Sequence, residues 1–182
     1  MKLLALYLLT AVLALADVTT KIIVNGSTLP ASIQGIPWIG VTNYGARENP
    51  DQGMGVSYRG ESMKIDLYVY DSLNSDWDKL PLKERIKREN DSILDIFQKL
   101  TERGDYSNVK AKPRETIKVG TWSFDHTELD FTDKQAGDLN SHYYLAELRG
   151  KILKIRISRH ADSDPAISRA AFQEIAAALA AK

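Results

Sequence analysis

The side chains in this chain best suited to chemistry are its three histidines, His126, His142 and His160. The first lies in the run Asp125-His126-Thr127-Glu128-Leu129-Asp130. On an extended backbone His126, Glu128 and Asp130 face one way, with neighbours in that row about 6.8 Å apart. Imidazole and carboxylates together suit zinc or another divalent ion, and His142 joins them if its strand lies alongside. Two points favour a blander reading. The spacing is wide for one small ion, and Trp122 and Phe124 share the same parity. A solvent-exposed polar strand end is therefore the leading reading, with metal binding as the alternative.

Nucleophilic catalysis has less support. The chain contains no Gly-x-Ser-x-Gly, no Ser-x-x-Lys and no His-Glu-x-x-His. Gly53-Met54-Gly55 precedes a strand and is no phosphate loop. Arg159 and His160 end a strand beside a helix start, where an anion can sit, although an ordinary N-cap explains the same residues. Tyr68 and Tyr70 are the candidate ligand-binding aromatics, since rings with polar tips favour clefts and interfaces. Their position suits the underside of a helix equally well.

The elements that must hold these residues are legible from periodicity. Met54, Val56 and Tyr58 alternate with small or polar residues. Met63 to Tyr70 then alternates without a fault, so the two segments predict a hairpin. Lys21 to Val24 and Trp38 to Tyr44 read as short strands, with turns at Asn25-Gly26 and over Glu48 to Gly53. A helix is predicted over about 81–103, opening on Pro81 and stopped by Gly104. Its apolar stripe is Leu82, Ile86, Ile93, Ile96, Phe97 and Leu100, and its solvated face runs from Lys83 through Glu89 to Asp91.

Strands resume beyond Pro113, over Thr116 to Phe124 and Thr127 to Phe131, with a polar loop from Thr132 to Ser141. A second hairpin follows, His142 to Leu148 and Lys151 to Ile157. If Arg149-Gly150 is a two-residue turn, Ala146 pairs with Leu153 and Tyr144 with Ile155; Arg is a poor first residue for such a turn, so a longer loop stays open. Tyr143, Leu145 and Ile152 on the other face predict cover on both sides. A final helix is predicted over about 164–181, capped at Ser163 or Asp164 and burying Ile167, Ala171, Phe172, Ile175, Ala176 and Leu179. Hairpins with helices between them predict an α+β fold, an antiparallel sheet flanked by two helices.

The totals limit function. The sequence has 182 residues, no cysteine, and 24 basic against 24 acidic residues. Without cysteine there is no disulfide scaffold and no thiolate site. Without a basic excess, nucleic acid is not an expected partner. Met1-Lys2, an uncharged run from Leu3 to Ala16 and the triplet Ala14-Leu15-Ala16 form the pattern of a secretory signal peptide. Cleavage after residue 16 leaves Asp17 first and residues 17–182 as one domain, with no stable membrane insertion. Two glycosylation sequons, at Asn25 and Asn90, are matches expected by chance.

Tyr58-Arg59-Gly60 leading to Ile65 through Asp71, and Tyr143-Tyr144-Leu145 leading to Lys154-Ile155-Arg156, resemble a layout found in uncharacterised exported bacterial proteins. The element order is also similar to the Mog1/PsbP-like α+β sandwich. That resemblance implies binding and accessory roles and supplies no catalytic residues. The reading is thus an exported, non-catalytic binding or accessory domain of the bacterial cell envelope, periplasmic or secreted, with no cofactor. Its partner is expected to be an envelope protein or a small ligand. The alternative is a small exported metal-dependent hydrolase using His126, Glu128 and Asp130.

Overall fold

A computed structural model describes residues 22–44, 53–71, 75–77 and 79–181. The expected signal peptide, Lys21 and most of the turn expected over Glu48 to Gly53 lie outside the described residues.

Alternation builds the sheet. Strands β5 (Met54–Arg59) and β6 (Met63–Tyr70) form the first hairpin, with Val56 opposite Leu67 and Tyr58 opposite Ile65. Strands β10 (Gly137–Leu148) and β11 (Lys151–His160) form the second, and Ala146 does face Leu153. A small separate ribbon joins β1 (Ile22–Val24) to β2 (Ser27–Leu29). The remaining strands are β3 (Ser32–Ile33), β4 (Ile36–Asn43), β7 (Tyr106–Ala111), β8 (Glu115–Val119) and β9 (Trp122–Asp133). Nine strands make one antiparallel sheet in the order β3-β4-β5-β6-β11-β10-β9-β7, with β8 also paired to β9.

Two tight turns explain why an arginine is tolerated at a left-handed position. Arg149 and Gly150 have φ of 52° and 82°, and Asn25 and Gly26 have 46° and 77°. Positive φ at both central residues matches the twist of a two-residue hairpin. The Arg149 guanidinium donates to the Asn25 carbonyl, and Asn25 Nδ2 donates to the Leu148 carbonyl at 2.9 Å. Each turn braces the other. A Cβ on Gly26 would stand 2.0 Å from Arg149 Nη1. Gly26→Ala is expected to lose about 1–2 kcal/mol from its left-handed backbone, read as a lower urea midpoint with an unchanged slope.

Several sequence expectations are corrected. Strand β7 was not expected. The break expected between Phe124 and Thr127 is absent, because β8 and β10 pair with β9 on either side of it. The turn is instead at Gly120, whose φ is 58°. The polar loop expected over 132–141 shrinks to the few residues between Asp133 and Gly137.

The sheet is covered on both faces. Helix α1 (Leu82–Glu102) packs Ile86, Ile93 and Phe97 on Leu129, Phe131, Tyr143, Leu145 and Ile152. Helix α2 (Pro165–Ala180) packs Phe172, Ile175 and Leu179 on Phe124, Tyr144, Ile155 and Leu67 of the opposite face. Asp164 caps α2, accepting from the Ala166 N–H at 2.9 Å. The stripe of α1 differs from expectation. Ile96 is 50% exposed, whereas Glu89 and Asn90 are buried. Glu89 accepts from Lys154 Nζ at 2.7 Å, and Asn90 Oδ1 accepts from Thr127 Oγ1 at 2.8 Å. Polar groups under a helix are tolerated when they are paired in this way.

Candidate functional site

The parity read from the sequence holds, but the solvent-exposed strand end expected there is corrected. His126 is 5% exposed, because neighbouring strands and α2 cover it and turn the row into a site. On the α2 side of β9, His126 lies opposite Tyr144, Glu128 opposite His142 and Asp130 opposite Asn140. From the other side, β8 brings Glu115 opposite His126. The rings stack in sequence beneath α2. His126 lies 4.5 Å from Tyr144, and Tyr144 lies 3.8 Å from Phe172 at 8° between planes.

The polar groups form a chain. Glu115 Oε1 is 3.0 Å from His126 Nδ1, and His126 Nε2 is 3.1 Å from His142 Nδ1. An ionised carboxylate only accepts, so the proton of the first bond sits on His126 Nδ1. When His126 is neutral, its Nε2 accepts from His142 Nδ1, and His142 Nε2 keeps its lone pair. Beside this chain, Asn140 Nδ2 donates to Glu128 at 2.8 Å and to Asp130 at 2.7 Å. Lys112 Nζ also binds Glu128.

The sequence-predicted residues therefore meet only in part. His126, His142 and Glu128 converge, while Asp130 stands one step along and is tied to Asn140. Among the described residues, no three His, Asp or Glu side chains are arranged to hold a metal ion. Glu115, Lys112 and Asn140 complete the cluster and were not foreseen. Tyr68 and Tyr70 lie on the other face, beneath α1. Lys154 Nζ sits 5.5 Å and 5.2 Å from their ring centres, and Tyr70 is buried. His160 stands at the end of β11, away from the other two histidines.

The cluster lines a cleft of about 450 Å³ between α2 and strands β8 to β10. Lys112, Lys118, Arg159 and Arg169 bring four cations to its wall, against the carboxylates of Glu115 and Glu128. A larger hollow of about 640 Å³ at the far end of the sheet contains no histidine. It is lined by Lys83, Arg149, Asp125 and Glu147, so the paired histidines are what distinguish the smaller cleft.

Electrostatics follow from this burial. Burial pushes the His142 imidazole down to about 4, His126, Arg159 and Lys112 push the same way, and Glu128 opposes them. Burial raises the Glu128 carboxyl, but hydrogen bonds from Lys112 and Asn140 outweigh it and leave the group lowered. Unfolded histidine takes up its proton near pH 6.5, whereas folded His142 does so only near pH 4. Stability contributed by neutral His142 is therefore lost as pH falls from about 6.5 towards 4, by at most roughly 3 kcal/mol. His142→Gln is expected to flatten that part of a curve of unfolding free energy against pH.

The chain matches no protein-family profile and no curated protein. Solved structures share its fold weakly. The solution structure of cyanobacterial PsbP from Synechocystis sp. PCC 6803 is 14% identical with a TM-score of 0.49, covering 84% of this chain and 83% of that one. The Ran-binding protein Mog1p of Saccharomyces cerevisiae is 18% identical with a TM-score of 0.40, covering 83% and 86%. A protein of unknown function from Pseudomonas aeruginosa is 14% identical with a TM-score of 0.39, covering 80% and 86%. The fold-level similarity to PsbP-like and Mog1 proteins expected from the element order is present.

Proposed function

We propose that this chain is a non-catalytic ligand-binding domain of the bacterial envelope, and that the cleft beneath α2 is where it binds a small molecule. The observation that carries the reading is the composition of that cleft. It collects two histidines, four cations and a tyrosine, yet no serine, threonine or cysteine lines it among the described residues. The serine, threonine or cysteine nucleophile used by the commonest covalent hydrolases is therefore not among the described residues of the cleft. Here the histidines bond to each other and to Glu115, which suits a preformed recognition surface. Export rests on the pattern of residues 1–16, and Asp17 is the first residue expected in protein recovered from the periplasm.

Thermal unfolding of the chain in the presence of small organic acids, neutral sugars, amines and divalent ions tests the binding reading. A ligand at a hundredfold excess over its dissociation constant stabilises the native state by about 2.7 kcal/mol. Gln173 is exposed on the cleft wall, so Gln173→Trp fills the cleft without removing a charge. A stabilising ligand whose effect disappears in that variant supports the reading. Stabilisation that survives Gln173→Trp, or no stabilisation by any class, overturns it. A shift with zinc or manganese alone, lost in His126→Ala, would instead restore the metal-dependent alternative.

A further inference from the structure

We infer that the cleft recognises a small molecule through an oxyanion, a carboxylate or a phosphate group, seated on the free edge of Arg159. The inference rests on the cleft being the ligand site. Arg159 stands on β11 opposite Asn140 and on the same face as His142. It is 7% exposed. Its Nη1 donates to the carbonyls of His160, Ala161 and Ser163 at 3.0, 3.2 and 2.8 Å. These bonds bind the guanidinium to the connection between β11 and α2 and fix its plane.

The other edge has no protein partner among the described residues. Nε is buried without a hydrogen-bond partner, and Nη2 makes no hydrogen bond among the described residues. Nε and Nη2 together form the side-on fork that matches two oxygens of a carboxylate or phosphate. No described carboxylate pairs with Arg159, because those nearby are held elsewhere. Glu128 is held by Lys112 and Asn140, Glu115 meets His126, and Asp130 meets Asn140. A buried guanidinium without a counter-charge is unfavourable, so an oxyanion arriving there compensates a charge that backbone carbonyls alone offset among its described partners. Lys118 and Arg169 on the cleft wall add to the attraction.

One competing arrangement uses the same atoms. Asn140 Oδ1 is also buried without a partner, and a fixed water could accept from Arg159 Nε while donating to Asn140 Oδ1. The two arrangements predict different responses to added anion. The test is a titration of the ¹⁵N-labelled chain, following the Arg159 Nε–H resonance assigned through its own backbone amide. Sodium acetate and inorganic phosphate are the probes. Acetamide and sodium chloride at matched ionic strength are the controls.

The expected result is a downfield displacement of the Arg159 signal that saturates at one-to-one stoichiometry, with the other arginine signals unmoved. Whichever probe produces it identifies the source of the oxyanion. Arg159→Lys is expected to lose the binding. Because that change also removes bonds to three carbonyls, Gln173→Trp serves as the second variant and should abolish the displacement with Arg159 intact. A signal unmoved by both probes, as a fixed water predicts, overturns the inference, and so does an equal response to chloride. If a neutral molecule stabilises the protein through the cleft while Arg159 stays unmoved, the oxyanion assignment fails and the cleft reading stands. If nothing binds the cleft, both fail together.

Discussion

Lys154→Met is expected to destabilise the fold by about 3–5 kcal/mol, the usual consequence of leaving one member of a buried ion pair alone. Lys154 Nζ reaches Glu89 of α1 at 2.7 Å, with side-chain exposures of 19% and 7%. It also lies against the faces of Tyr68 and Tyr70, where a cation is attracted to the rings. Methionine keeps the length of the stem but strands the Glu89 carboxylate beneath the helix. The same carboxylate, after burial itself, helps to raise the Tyr70 hydroxyl well above its ordinary pKa, which shows how closely these groups face one another. Adding Glu89→Gln should recover a large part of the loss, because the buried charge is gone. Urea unfolding of both single variants and the double variant forms the cycle that measures this. A single-variant loss below about 1 kcal/mol would mean the pair behaves as an exposed one. Since α1 covers the face opposite the cleft, affinity at the cleft should not change.

Phe172→Ala is expected to lose about 3–5 kcal/mol, the range for removing a buried aromatic and leaving a cavity. Phe172 is 2% exposed. It stacks on Tyr144 at 3.8 Å and meets Phe124 edge-on at 4.9 Å. Here stability and the site are coupled. Burial is the main reason the Tyr144 hydroxyl titrates above its ordinary value, with the Glu128 carboxylate adding to it. Removing the ring that covers Tyr144 should therefore bring its titration back towards 10, which ultraviolet difference absorbance would follow. Phe172→Leu should recover part of the stability and less of the tyrosine shift, because a leucine fills volume without stacking. A loss under about 1 kcal/mol would mean that α2 is held by its other apolar residues and that Phe172 is not its anchor.

The two hairpins, the limits of both helices and the double cover of the sheet were legible in the sequence. The reason is local: a period of two or 3.6 records which side of an element is buried, wherever the partner lies. The parity of His126, Glu128 and Asp130 was legible for the same reason. What failed was also local in origin. Strand β7 carries no clear alternation, and the break expected near Asp125 followed from polar composition, which flanking strands override. Glu89 looked like one more charge on a solvated face, since only the arrival of Lys154 from β11, 65 residues away, makes its burial tolerable.

The cluster itself divides along the same line. The sequence by itself determined that His126, Glu128 and Asp130 share a face, because alternation is a property of the strand alone. It did not determine their neighbours, since register between strands depends on where each turn falls. A hairpin centred on Gly120 puts Glu115 beside His126, and the pairing of β9 with β10 puts His142 beside Glu128. Only the tertiary structure decided those meetings, and only it decided that α2 closes over them. By making three bonds with one nitrogen, Arg159 keeps its other edge free, and that arrangement depends on the path of the backbone between β11 and α2, which no periodicity encodes.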